Sequence, residues 1–175
     1  KRKKESLKDF IQEKRISIQG DYREKGNQVL RELIGKGIDV DLKKLTVGDY
    51  VLSDRVCVEL KHVPDFVDSI IDGRLLQQVK NMKMHFSRPL LIIQGGENIY
   101  SQRQIHPNAI RGMLASITVD FQIPVISTRN YRDTTAFINT IAKRLEKPKK
   151  HFTLLTKRKP TKEEIKNKDK TSYYY

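Results

Sequence analysis

The chain of 175 residues has no tryptophan and a single cysteine, Cys57. One thiol makes no intrachain disulfide, which excludes a disulfide-stapled scaffold and suits a reducing, intracellular compartment. No apolar run approaches the roughly 20 residues that cross a bilayer, so no membrane partner is expected, and no secretory segment is visible. No methionine opens the sequence, as expected of a fragment or a processed product. His62, His85, His106 and His151 share no zinc-like spacing with one another or with Cys57. A glycine-rich phosphate loop followed by Lys and Ser or Thr is also missing, which excludes a P-loop motor within this chain.

Acidic residues are the minority charge. Asp and Glu number 21 against 35 Lys and Arg, a formal net charge of +14. A field of that sign attracts polyanions and makes their binding salt-dependent. Much of the positive charge sits at the ends, in residues 1–4 and 143–170, where it could be simple solvation. Arg23, Arg55, Lys61, Arg74, Lys80 and Lys83, however, fall within the patterned stretch. The length suits one domain with a sizeable core and two tails.

The stretch 48–65 organises the rest. Val56, Val58 and Leu60 alternate with Arg55, Cys57, Glu59 and Lys61, the two-residue period of a strand. Glu59 and Lys61 therefore share a face. Tyr50 to Leu52 forms a second short apolar stretch, and Ser53-Asp54 between them suits a tight hairpin that brings Asp49 beside Glu59. Two carboxylates converging with a lysine are what metal-assisted phosphodiester hydrolysis requires: oxygens for a hard cation, and an ammonium near the water or the charge building on phosphorus. A solvated face with a cross-strand ion pair gives the same spacing.

Around this core the patterns alternate between strand and helix, which predicts an α/β fold. Residues 1–14 carry Leu7, Phe10 and Ile11 at helical spacing behind a basic cluster. Residues 15–19 read as the first strand and deliver Asp21 and Arg23 to its end. Val29, Leu30, Leu33 and Ile34 mark a helix over 27–35, with Glu32 off its apolar face. Residues 38–45 alternate as an edge strand with one wet face. Pro64 suits a helix's first turn, with Phe66, Val67, Ile70 and Ile71 inward and Asp65 beside the N-terminus, where a carboxylate is favoured with or without a metal. A helix over 75–86 turns Leu76, Val79, Met82 and Phe86 inward and Gln77, Gln78, Lys80, Asn81 and Lys83 outward, toward solvent or phosphates. The unbroken Leu90-Leu91-Ile92-Ile93 marks a strand covered on both faces. Helices over 107–120 and 133–145 flank a short strand at 124–127. Ile110, Leu114, Ile117 and Phe121 stripe the first helix; Phe137, Ile138, Ile141, Ala142 and Leu145 stripe the second. After residue 147 the sequence is basic and aperiodic, as in a flexible tail.

The stretch Gly48-Asp49, Glu59-Leu60-Lys61 and Asp65 resembles the signature of the XPF/Mus81 family of structure-selective nucleases: Gly-Asp, a variable gap, Glu-Arg-Lys, three residues and Asp. The resemblance is close to archaeal, Hef-like members. It continues through Ser69-Ile70-Ile71-Asp72-Gly73-Arg74-Leu75, Ser87-Arg88-Pro89 and His106-Pro107-Asn108-Ala109-Ile110-Arg111-Gly112, and covers about residues 15–146. It departs at Leu60, where the family has Arg. Position 60 is in phase with Val56 and Val58, so the change is expected to alter packing more than metal chemistry.

The resemblance implies a restriction-endonuclease-like fold, a mixed central sheet flanked by helices. It also implies a Mg²⁺- or Mn²⁺-dependent endonuclease that nicks branched double-stranded DNA, such as flaps and forks, in repair or replication restart. Asp49, Glu59 and the Leu60 backbone carbonyl would hold metal, with Asp21 and Asp65 assisting and Lys61 acting on water or developing charge. Asp21 reads equally as a turn or capping residue. Arg23, Arg74, Lys80 and Lys83 would face phosphates. Family members associate through the 107–120 and 133–145 region, which implies a homodimer, although both stripes also suit a monomer core. The downstream helix-hairpin-helix module of related chains needs glycines, and the last glycine here is Gly112. That module, or a helicase, would belong to a parent protein. The rival readings are a catalytically inactive DNA-binding or dimerisation scaffold, which Leu60 favours, and a sequence-specific restriction enzyme.

Overall fold

The computed structural model describes residues 15–146. The helix expected within 1–14 and the tail from 147 lie outside the described residues. The expected α/β architecture is present: one six-stranded sheet in the order β2-β1-β3-β4-β5-β6. Its strands are β1 (Ser17–Asp21), β2 (Asp39–Lys43), β3 (Tyr50–Val51), β4 (Cys57–His62), β5 (Leu90–Gln94) and β6 (Val125–Thr128). β3 runs antiparallel to both β1 and β4, whereas β1–β2, β4–β5 and β5–β6 are parallel. The sheet is therefore mixed, and β2 is one of its two edges, as its wet alternation predicted.

Helices cover both faces. On one, α2 (Val63–Ile71), α3 (Arg74–His85) and α4 (Pro107–Ala115) bury Phe66, Val79, Met82 and Ile110 against Cys57, Leu91 and Ile93. On the other, α1 (Gln28–Gly35) and α5 (Tyr131–Glu146) bury Leu33, Ile138 and Ala142 against Ile18, Tyr50, Val58 and Ile92. Leu91 and Ile93 thus feed one core and Ile92 the other, which is why this strand reads as a continuous apolar run.

Several boundaries shift from the expected ones. The first strand runs to Asp21 rather than stopping at Gln19, because pairing with β2 and β3 continues through Gly20 and Asp21. Asn27 stands before α1 as its cap, accepting the Leu30 amide at 2.7 Å. On α3 the fully buried residue is Leu75, and Leu76 is half-buried, so the inward stripe is Leu75, Val79 and Met82. α4 continues into one π turn over Ser116–Asp120, which carries Ile117 into the core.

Gly48 leads into β3 at φ +76°, a left-handed conformation that side chains resist. A Cβ there would stand 3.2 Å from the Val58 carbonyl oxygen and 3.3 Å from Cys57 Cβ, so the close approach of β3 to β4 also requires glycine. Gly48→Ala is expected to destabilise the domain by at least about 1 kcal/mol through left-handed strain and crowding of Val58, read as a lower urea midpoint at unchanged slope.

Candidate active site

The hairpin expected at 50–61 forms, with Tyr50 opposite Val58 and Val51 opposite Cys57. Asp49, just before β3, ties three strands together. Its amide donates to the Val58 carbonyl at 2.8 Å, its carbonyl accepts the Asp21 amide at 2.8 Å, and its carboxylate Oδ2 accepts the Leu60 amide at 2.8 Å. Asp49 is the last residue on this side to pair with β4 through its backbone, so its side chain accepts the Leu60 amide in place of the next ladder bond. Leu60 packs with the Val58 core, as its phase predicted, while Glu59 and Lys61 point to the opposite face.

That face is not solvated. Glu59 is 7% exposed and Lys61 9%, and Lys61 Nζ lies 3.1 Å from Glu59 Oε1. The same Oε1 accepts Gln78 Nε2 from α3 at 2.9 Å. Both donors thus converge on one oxygen. Among the described residues Glu59 Oε2 and Asp49 Oδ1 have no protein partner, and both residues line a cavity of about 160 Å³. Arg23, Thr46, Gln78 and Asn81 also line it.

The carboxylates are crowded. Burial, reinforced by the charge of Glu59, pushes the Asp49 pKa up to about 8, against the opposing Leu60 amide and Lys61 ammonium. Glu24 is also raised, by burial and by Asp21 and Glu59. It hydrogen-bonds Asn27 Nδ2. Burial pushes the Cys57 thiol up to about 12, so it remains a protonated core residue.

The remaining expected site residues divide. Asp21 is fully buried, and both its oxygens are occupied by hydrogen bonds from the Arg23 guanidinium, the Arg23 amide and the Leu45 amide. The guanidinium bond holds its pKa down near 2. With no oxygen to spare, Asp21 serves in this geometry as the post that aims Arg23 into the cavity, and its capping reading is the one seen. Asp65 is exposed in the first turn of α2 and does not line the cavity. Arg74 is exposed and paired with Asp72 at 2.6 Å. At about 100° per residue, Arg74 lies some 40° from Gln78 around α3, whereas Lys80 and Lys83 lie about 160° and 140° away. Those two lysines are exposed on the side of the helix away from the carboxylates. Glu32 does not reach the site, and pairs with Lys36 at 3.6 Å.

Gln78, expected toward solvent or phosphates, is turned inward onto Glu59 instead. Its position, three residues after the buried Leu75, was the available signal: the flank of an apolar stripe faces whatever the helix packs on. Its Oε1 is buried without a hydrogen-bond partner. Among the described residues no three His, Cys, Asp or Glu side chains converge as a full metal cage would. The donors present are instead all oxygen: two carboxylates, the orphaned Gln78 Oε1 and the Leu60 carbonyl, which leaves β4 on the same edge as its amide. That set fits Mg²⁺ or Mn²⁺, which bind through one or two carboxylates and retain water, and it does not fit zinc.

A mixed sheet with paired carboxylates and a lysine beside a polar cavity that Arg23 also lines is the arrangement of a nuclease-type α/β domain. Comparison with known proteins gives the family. Residues 21–141 match the ERCC4 domain, and the chain belongs to this family of XPF-type nuclease domains. It is 46% identical over 134 residues to a Methanocaldococcus jannaschii protein described as an ATP-dependent RNA helicase, across 77% of this chain and 16% of that one. It is 34% identical over 131 residues to the 3'-flap repair endonuclease Xpf of Saccharolobus solfataricus, across 75% of this chain and 56% of that one. The chain therefore spans only part of each relative's length. Among solved structures, XPF from Aeropyrum pernix in complex with DNA superposes with a TM-score of 0.69 at 29% identity, covering 77% of this chain and 67% of that one.

The raised Asp49 pKa has a stability consequence. A carboxyl whose folded pKa exceeds its unfolded value stabilises most below the unfolded pKa, near 3.8, and loses that contribution as pH climbs to about 8. Relative to Asp49→Asn, which keeps the Leu60 acceptor without the charge, the natural chain in chelator is expected to lose melting temperature between pH 4 and 8. Above that the difference levels off. Thermal scans at unit pH steps measure it.

Proposed function

We propose that this chain is the catalytic domain of a divalent-metal-dependent endonuclease that nicks DNA at branch points such as flaps and forks. The observation that carries the reading is the buried Asp49–Glu59–Lys61 cluster, whose free carboxylate oxygens face a cavity flanked by Arg23. Asp49, Glu59 and the Leu60 carbonyl would hold Mg²⁺ or Mn²⁺, and Gln78 Oε1 is oriented to receive an ion or its water. Such an ion, when bound, supplies Lewis-acid polarisation of the phosphate and a water of lowered pKa. Lys61, held by Glu59 within the sheet, supplies a fixed ammonium for the attacking water or the developing negative charge. Arg23, clamped by Asp21 through Nε and Nη2, grips a neighbouring phosphate with what remains of its fork.

The relatives' names support flap DNA as substrate, a helicase in a parent chain and a role in DNA repair. A further DNA-binding module, replication restart and an intracellular setting belong to this reading as expectations of the family resemblance. No helix among the described residues is long and apolar enough to cross a membrane. A homodimer through the region of α4 and α5 remains part of this reading. The sequence stripes themselves are largely spent inside the protomer, since Ile110, Ile117 and Ile138 are fully buried. The side chains left for a partner are Val119, 70% exposed, and Phe137, 40% exposed.

A labelled flap incubated with Mg²⁺ or Mn²⁺ tests the reading. The natural chain should nick it, while Asp49→Asn and Lys61→Ala should each lower kcat by about 10²-fold or more and shift the DNA Kd far less, because affinity is spread over many phosphates. Binding without any cleavage by the natural chain would favour the scaffold reading that Leu60 motivated. Metal binding should also require Asp49 to lose its proton. Mn²⁺ affinity by titration calorimetry is expected to rise up to about tenfold per pH unit below pH 8 and to flatten above, with proton release falling in parallel.

A further inference from the structure

A second cavity, of about 360 Å³, adjoins the catalytic one. Thr46 and Val47 line both, so the segment between β2 and β3 is the shared wall. Lys43, Lys44 and His85 stand at the second cavity, and Val47, Val51 and Phe86 give it an apolar side. None of its lining residues is acidic. Lys43 is engaged by Asp41 at 2.8 Å, and His85 Nδ1 lies 2.8 Å from the Asn81 carbonyl. Lys44 is exposed and has no ion-pair partner among the described residues. The volume falls in the range of about 300–1,000 Å³ that holds small organic ligands.

We propose that this groove seats one unpaired nucleotide adjoining the scissile phosphate, with its phosphate on Lys44 and its base against Val47, Val51 and Phe86. The inference deepens the nuclease reading and rests on it for the identity of the polymer. A cationic edge beside an apolar slot matches the two halves of a nucleotide, an anion joined to a flat ring. A base stacked in continuous duplex presents only its edge, so the slot is closed to linear DNA. At a flap or fork the bases beside the junction are already unpaired and enter without disrupting a pair. The groove would then make the catalytic domain itself a detector of unpaired DNA, independent of any further module.

The test uses the full chain bearing Asp49→Asn, so that DNA is bound and not cut. Flap oligonucleotides carry 2-aminopurine, or an abasic site, at successive positions around the branch. One position near the cut should show a fluorescence change on binding, and an abasic site there should weaken binding about tenfold while leaving linear duplex unaffected. Phe86→Ala should lose the abasic penalty. Lys44→Ala, an exposed change that leaves the core intact, should reduce the slope of log K against log salt by about one. A flat 2-aminopurine profile with tolerance of abasic sites at every position overturns the groove. That failure is separable from failure of the chemistry: a natural chain that cuts flaps yet ignores abasic sites loses only the groove, and one that never cuts but rejects them loses only the hydrolysis.

Discussion

The bond from the Leu60 amide to the Asp49 carboxylate is the constraint on which the rest of this site depends. It closes the sheet at the point where β3 begins, and it does so with a side chain whose other oxygen is left facing the cavity. The same residue holds β1 through its carbonyl and β4 through its amide. The carboxylate proposed to hold metal is thereby placed by the strand pairing itself rather than by a loop. Gly48 permits this, because only a residue without Cβ fits the left-handed approach to Val58.

The electrostatics follow from that placement. In a chain of net charge +14, the site gathers Asp49, Glu59 and Glu24 near one another, with Lys61 as the nearest buried cation. Burial above all, and then the charge of Glu59 that one shared ammonium does not neutralise, make Asp49 hold its proton well above the ordinary carboxylate range. A folded state with that excess of carboxylate is less stable than it could be, and the deficit is one that the proposed cation would relieve. Arg23 contributes little relief within the cluster, since its guanidinium is committed to Asp21. The two sets of carboxylates are thus divided: Asp21 is spent on aiming Arg23 at the cavity, while Asp49 and Glu59 keep oxygens free there.

What the sequence could convey tracks how local each feature is. The strand carrying Glu59 and Lys61, the hairpin that returns Asp49 to it, and the two-sided burial of Leu91 to Ile93 all follow from periodicities within a few residues. Burial of Glu59 and Lys61 does not, because it depends on a distant helix bringing Gln78 onto Glu59, and the spacing alone allowed a wet face. The shared oxygen, the orphaned Gln78 acceptor and the saturation of Asp21 are tertiary facts of the same kind. Helical spacing correctly turns Lys80 and Lys83 outward on α3, but it does not say which outward side the carboxylates occupy, and the phase relative to Gln78 sets both lysines away from them. Asp65 kept its place in the first turn of α2, yet its side chain stands outside the cavity, as a residue favoured there by the helix dipole alone would.

Leu60 gains its meaning from the same geometry. Alternation along β4 sends its side chain into the core shared with Val58 and Ile92, on the face opposite Glu59 and Lys61. An arginine at this position would have to bury a cation among apolar groups or snorkel along the sheet to its edge. Leucine avoids that cost, while the position's contribution to the site comes from its backbone: an amide that fixes Asp49 and a carbonyl on the same edge. Substitution here therefore acts on packing beneath the site. The chemistry-bearing groups above it are held by main-chain bonds that are indifferent to which side chain position 60 carries.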